Sequence, residues 1–238
     1  MPKHVLLNNV VHKDLRILTE RSAKYGDDVN GALIFPEEFT TIQREYPIFF
    51  QKDSQTGEFQ AVAIFGFTQN ENLFLNDQGW QANYIPAVME REPFLIGFQQ
   101  TGVAEEPTPV IHIDIEHPRV STTQEGEAVF LEYGGNSPYI DRISKTLMLI
   151  HEGLDMSKHM FSALLALDLI EPFVLDIAFA NGEQYKSQAY YTINQEKFFA
   201  LDDATLGALH RSSNLHYVYM VIASLGNIKN LIELRNKK

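Results

Sequence analysis

At Ser137 the apolar residues of this chain change period, and that change limits the fold more than any other feature of the sequence. Before it, apolar residues gather in short β-branched and aromatic runs bounded by Gly, Pro, Asn and Asp, which is how strands read. After it, Ile140, Ile143, Leu147, Ile150 and Leu154 follow 3-4-3-4 spacing, and Phe161, Leu164 and Asp168 continue the register. Ser137-Pro138 supplies a cap and a first-turn proline. The spacing predicts an amphipathic helix, or two end to end, of about 30 residues. Strands first and helices later, with hairpin signals in place of regular βαβ alternation, predict an α+β fold. Its sheet is expected to be largely antiparallel and to come from the N-terminal half.

Single elements follow from local chemistry. Val5 to Leu7 reads as an edge strand. Phe35-Pro36-Glu37-Glu38 opens a short helix toward Tyr46, with proline and acids in its first turn. Ile48 to Gln51 and Gln60 to Phe67 read as a hairpin with a loop around Thr56-Gly57. Asn72 to Leu75 is a short strand and Asn76-Asp77-Gln78-Gly79 a turn. Tyr84 to Glu92 suits a short helix that Pro93 stops, and Phe94 to Gln99 returns as a strand. Val110 to Ile115 alternates strictly. Pro172 ends the long helix. Phe173 to Ala180 and Glu183 to Ile193 flank Asn181-Gly182, the signature of a tight two-residue hairpin. Asp202 or Asp203 caps a further helix, Leu215 to Leu225 forms a buried one, and Ile228 to Leu234 adds a last turn or two. Gln100 to Pro109 and His117 to Gly135 read as loops. The chain is expected to form one domain, with 117–136 as the place where two lobes would divide.

Composition removes several function classes. The 238 residues carry 31 acids against 19 bases, a net charge of −12. That field repels phosphate backbones, and the only dense basic stretch is the tail from Lys229, so nucleic acid is not an expected partner. There is no cysteine, which excludes disulfides, thiolate metal sites and cysteine nucleophiles. The N-terminal apolar patch is too short for a signal peptide, and no run approaches the roughly 18 apolar residues of a membrane span. A cytoplasmic protein without membrane insertion is the expectation.

Few constellations carry chemistry. His112 and Asp114 share one face of a strand, so an imidazole and a carboxylate can reach one metal. A second histidine from His151, His159, His210 or His216 would complete the ligand set of a non-haem iron oxygenase, and Arg211 or Arg235 could hold 2-oxoglutarate. The plainer reading makes His112 and Asp114 the solvated face of an edge strand, with no metal and no cofactor. Glu37-Glu38 reads as first-turn acids. No G-x-S-x-G, phosphate loop or G-x-G-x-x-G occurs, so no complete catalytic set is visible. Trp80, the only tryptophan, follows a glycine turn and precedes polar Gln81, which keeps a large aromatic near the surface. With Tyr84 and Arg91 it is the expected site for a protein, peptide or aromatic ligand.

Four stretches, FPEEFTTIQREYPIFF, NLFLNDQGWQANYIPAVMEREPFLIGFQ, ALDLIEPFVLDIAFANGEQY and LHYVYMVIASLGNI, stand in the order found in SapC family proteins. The resemblance covers nearly the whole chain. It implies a soluble bacterial accessory protein linked by name to surface-layer export. Relatives encoded near TonB-dependent receptors, halogenase-like flavoproteins and cupin-like hydroxylases imply work beside nutrient uptake, or on a peptide or aromatic substrate. The resemblance keeps an aspartate near Asp114 but not reliably a histidine at His112. Its recurring residues here are Tyr46-Pro47, Asn72, Leu73, Phe74, Trp80, Pro86, Pro93-Phe94, Glu171-Pro172 and Ala223-Ser224-Leu225. Most are apolar or turn formers, a signature of fold. The apolar face of the long helix also offers a surface for self-association.

Overall fold

The structure is a computed structural model that describes residues 3–100, 107–187 and 190–237. In chain order the strands and helices are β1 (His4–Leu6), β2 (Arg16–Ile17), β3 (Gly31–Ile34), α1 (Phe39–Ile42), β4 (Ile48–Lys52), β5 (Phe59–Ile64), β6 (Leu75–Asn76) and β7 (Gly79–Trp80). Then come α2 (Ala87–Glu90), β8 (Phe94–Gln99), β9 (Thr108–Asp114), β10 (Glu127–Ala128) and α3 (Pro138–Ala166). The chain ends with β11 (Ile170–Phe173), β12 (Asp176–Ala178), β13 (Gln184–Lys186), β14 (Tyr190–Ile193), α4 (Gln195–Phe199), α5 (Asp203–Arg211), α6 (Asn214–Ser224) and α7 (Asn227–Lys237). All strand pairings among the described residues are antiparallel. The protein is α+β.

The chain divides into two compact units: Met1–Asp27 with Ala87–Glu152, and Asp28–Pro86 with Gly153–Lys238. The first holds a three-stranded sheet in the order β1-β9-β8 and the short β10-β2 ladder. Its core joins Ile17, Phe94, Ile113, Val129 and Phe130 to Ile140, Ile143 and Leu147 of α3. These last three are the 3-4 spaced residues that predicted the helix, and spacing of this kind gathers side chains on one helical face. Ser137 Oγ accepts the Ile140 N–H at 3.3 Å, which caps the helix start.

The second unit is built on a five-stranded sheet in the order β11-β14-β4-β5-β3. Phe161 of α3 meets the Phe50 ring edge-on at 5.0 Å and stacks with Phe59 at 5.8 Å. Ser224 of α6 accepts the Ile48 N–H at 2.9 Å. Asn227 donates to the Gln43 carbonyl at 2.8 Å, so the C-terminal helices are fastened to the start of β4. Gly153 is the one glycine of α3; a Cβ added there would lie 2.6 Å from Phe35 Cβ.

Of the two arrangements expected for the long helical pattern, the single helix is found, 29 residues long. Several other expectations are corrected. The strand carrying His112 and Asp114 is the centre of its sheet, not an edge: β1 and β8 flank it on both sides. Asn181-Gly182 does not form a two-residue turn. The Gly182 N–H reaches the Phe179 carbonyl at 3.0 Å, the Phe179 N–H reaches the Glu183 carbonyl at 2.9 Å, and only Gly182 takes positive φ, +86°. This is a three-residue loop closed by a left-handed glycine, an alternative that suits a twisted hairpin equally well. The helix expected over 84–92 narrows to Ala87–Glu90. The last helix, Asn227–Lys237, runs for 11 residues rather than a turn or two. Most of the loop expected at 100–109, and residues 188–189 of the second hairpin strand, lie outside the described residues. The 117–136 segment lies inside the first unit.

Candidate functional site

Trp80 and Tyr84 belong to the second unit, Arg91 to the first. Trp80 ends the short β6-β7 ladder, opposite Leu75. Its Nε1–H donates to the Tyr46 hydroxyl at 2.8 Å, and its ring meets Phe65 edge-on at 5.2 Å. The Tyr46 hydroxyl in turn donates to the Tyr84 carbonyl at 2.6 Å. Tyr46 is fully buried, and burial holds its phenol proton well above the ordinary tyrosine range. The Tyr84 hydroxyl donates to Glu38 Oε1 at 3.0 Å, while Glu38 Oε2 accepts the Phe35 N–H at 2.9 Å. Both Trp80 and Tyr84 remain half-buried. The Trp80 indole N–H and the Tyr84 hydroxyl are thus spent inside the fold, while Trp80 keeps part of its surface beside exposed Gln81. Glu45 grips the loop from beneath by accepting the Asn83 backbone and side-chain N–H groups at 2.8 to 3.0 Å.

Arg91 donates to the Phe94 carbonyl at 2.7 Å, and burial pulls its guanidinium below the ordinary arginine range. It brackets the start of β8. His112 packs its ring over Gly97, where an added Cβ would lie 2.5 Å from Nδ1. Asp114 Oδ1 accepts the N–H groups of Lys3 at 2.8 Å and Glu116 at 3.1 Å. Among the described residues no group of three His, Asp or Glu side chains is placed to hold a metal ion.

Sequence reasoning missed a charged cluster in the first unit. Arg119 is 1 % exposed and Asp27 0 %. Arg119 Nη2 donates to both Asp27 oxygens at 2.8 and 2.7 Å, and its Nη1 donates to the Leu18 and Glu20 carbonyls at 3.2 and 2.7 Å. Its guanidinium lies 5.0 Å from the centre of the Tyr25 ring, and its Nε has no partner among the described residues. Arg21 extends the network to Asp27 at 3.3 Å, the Met89 carbonyl at 2.9 Å and Glu90 at 2.7 Å. At the margin, His117 Nε2 lies 3.7 Å from Glu92 Oε2. Burial raises the Glu92 carboxyl above its usual range and lowers the His117 imidazole below its own. The network ties the irregular 18–27 segment to α2 and to the 117–120 turn. The attraction within a buried pair of this kind is largely offset by the cost of desolvating its two charges, whereas removing one partner alone is strongly destabilising. No sequence signal joins residues 92 positions apart.

The SapC family model matches residues 7–231, and the chain belongs to the SapC family. No curated protein and no solved structure matches it. Among the described residues, no helix is long and apolar enough to cross a membrane.

Proposed function

We propose that this SapC family member is a cytoplasmic accessory protein that engages a protein, peptide or aromatic ligand through the Trp80–Tyr84 rim, in service of surface-layer export or TonB-receptor uptake. One observation carries the reading. Trp80 has its N–H satisfied inside the fold at 2.8 Å and its ring braced against Phe65, yet it stays half-buried. A ring held in one orientation loses little freedom when a partner covers it, which is the economy of an aromatic anchor.

The experiment places a photo-crosslinking residue at Gln81, beside Trp80, and another at exposed Glu196 of α4 as control, in the native cell. The expected result is an adduct specific to position 81 whose other half is a component of an export or uptake system. Equal adducts from both positions, or none from position 81, would refute the proposal.

A further inference from the structure

The five-stranded sheet of the second unit ends at β11 on one side and at β3 on the other. β11 carries Glu171 and Pro172, residue types with which proteins blunt a sheet edge. β3 reads Gly-Ala-Leu-Ile and has neither a charge nor a proline. The register shows which of its backbone groups are spare. The Phe65 N–H donates to the Asn30 carbonyl at 2.8 Å, whereas the Ile64 N–H turns the other way, to the Pro47 carbonyl at 3.1 Å. Antiparallel bonds alternate along a strand, so Ala32 and Ile34 bond β5 and the N–H and C=O groups of Gly31 and Leu33 point outward from the sheet. These outward groups have no partner among the described residues, and Gly31 and Leu33 are only half-buried. One residue further on the edge is closed: Glu38 accepts the Phe35 N–H at 2.9 Å and donates its own N–H to the Phe35 carbonyl at 2.9 Å.

Side-chain alternation says what an added strand would meet. Phe50 and its cross-strand neighbour Ala61 face α3, so Phe49, Val62, Ile64 and Gly31 share the opposite face. Gly31 is bare there, and a Cβ would stand 2.7 Å from the Ala63 carbonyl oxygen. A hollow of about 260 Å³ lies over this part of the sheet. Val62 and Ile64 give it an apolar floor, and Gln51 and Tyr190 a polar rim. Neither the Gln51 amide nor the Tyr190 hydroxyl is bonded to a described residue. Residues opposite one another across a ladder share a face. A side chain opposite Gly31 on an added strand therefore lies across the glycine into the hollow, as an aromatic does when it covers a bare edge glycine. Floor and rim together suit tyrosine, its ring on Val62 and Ile64 and its hydroxyl on Gln51 or Tyr190. Charge narrows the occupant further. Asp28 and Glu37 flank β3 in the chain, neither in an ion pair with a described residue, and the protein carries a net charge of −12. A second copy of so acidic a chain is a poor occupant, and a strand with lysine at each end a good one.

We infer that β3 is a docking edge for an extended, lysine-flanked segment of a partner protein, which adds to the sheet as an antiparallel strand with a tyrosine opposite Gly31. The inference is independent of Trp80. Amide-exchange NMR and calorimetry on the full chain test it with the capped peptide Lys-Val-Thr-Val-Tyr-Thr-Lys. The peptide is expected to bind with a Kd below about 1 mM, and at saturation to slow exchange of the Gly31 and Leu33 amides about tenfold or more. Serine in place of its tyrosine is expected to weaken binding about tenfold. N-methylation of the tyrosine amide, which faces β3, is expected to abolish binding; N-methylation of the valine before it, which faces away, to change it less than about twofold. Leu33→Pro removes an N–H that bonds nothing within the fold, a substitution that an edge strand tolerates, and is expected to abolish binding while the circular dichroism spectrum stays that of the folded chain. Gln81→Arg is expected to leave binding unchanged. Exchange at Gly31 and Leu33 unaffected by the peptide, equal binding of the serine peptide, or equal effects of the two methylations would each overturn the inference. So would slowing at these amides that grows with protein concentration in the absence of peptide, the mark of self-pairing.

Discussion

Trp80 donates its indole N–H to the buried hydroxyl of Tyr46 at 2.8 Å, so the one tryptophan of the chain reports directly on the interior of the second unit. Tyr46→Phe removes the acceptor for Trp80 and the donor to the Tyr84 carbonyl. The expected cost is about 1–3 kcal/mol, read by urea unfolding, with a changed tryptophan emission spectrum in the folded protein. An unaltered spectrum would show that Trp80 does not depend on Tyr46.

Arg119→Met takes the two-oxygen contact away from Asp27 at a fully buried position. Breaking a buried pair from one side costs about 3–5 kcal/mol. The Asp27→Asn/Arg119→Met protein is expected to recover part of that loss, because no carboxylate then lacks its main cation. Thermal unfolding of both variants checks the order. A double variant less stable than the single one would contradict it.

Glu92 has a carboxyl raised above its usual range by burial. A raised carboxyl favours the folded state below its unfolded value of roughly 4.3, and that contribution is lost as pH rises through the folded value. Glu92→Gln is therefore expected to raise the melting temperature near pH 7, on the order of 2 °C, and to lose the advantage as pH falls toward 4. His117, lowered by burial, works the other way: its contribution is present above about pH 6.5 and is lost as pH falls through the folded value. His117→Gln should flatten the pH dependence of stability below about 6.5. Melting curves across pH 4 to 8 read both, on the scale set by these carboxyl and imidazole values.

Gly153→Ala replaces glycine with the best helix former in the middle of a 29-residue helix. The propensity gain of about 1 kcal/mol is expected to be outweighed, because the new Cβ would stand 2.6 Å from Phe35 Cβ. A net loss of about 1–3 kcal/mol follows from overpacking of this kind. A stabilised variant in chemical unfolding would mean that Phe35 yields.

His112 and Asp114 are committed to Gly97 and to the N–H groups of Lys3 and Glu116. Protein purified without chelators is expected to carry the same metal content with and without His112→Ala. Stoichiometric iron that vanishes with the imidazole would establish the oxygenase reading in place of the binding one.

The sequence was legible where one residue acts on its neighbours. Phe94–Gln99 forms the strand its apolar run predicts. Ser137 and Asp202 cap the helices they precede, Asp202 through the Thr205 N–H at 2.8 Å. Ile140, Ile143 and Leu147 reach the core that their spacing implies. Legibility failed where the partner is remote. Alternation in Val110–Ile115 carries no information on whether one strand or two lie alongside, because the central position of β9 is set by β1 and β8, which are remote in sequence or paired only in the fold. Arg119 and Asp27 carry ordinary surface residue types, and only the tertiary fold buries them together. Trp80 beside a glycine turn read as a residue near solvent; that its nitrogen is held by Tyr46, 34 positions earlier, has no local trace.

The division of the chain carries a consequence for its inheritance. The path leaves one unit after Asp27, re-enters it at Ala87 and departs again within α3 after Glu152. The first unit needs everything up to Glu152 and the second needs Asp28 onward, so no single cut yields two self-sufficient bodies: one placed after Glu152 keeps all of the first unit on 1–152 but takes β3, β4 and β5 from the remainder. The gene therefore cannot be divided into two parts that each fold, and a fragment spanning 153–238 should emerge as unstructured polypeptide.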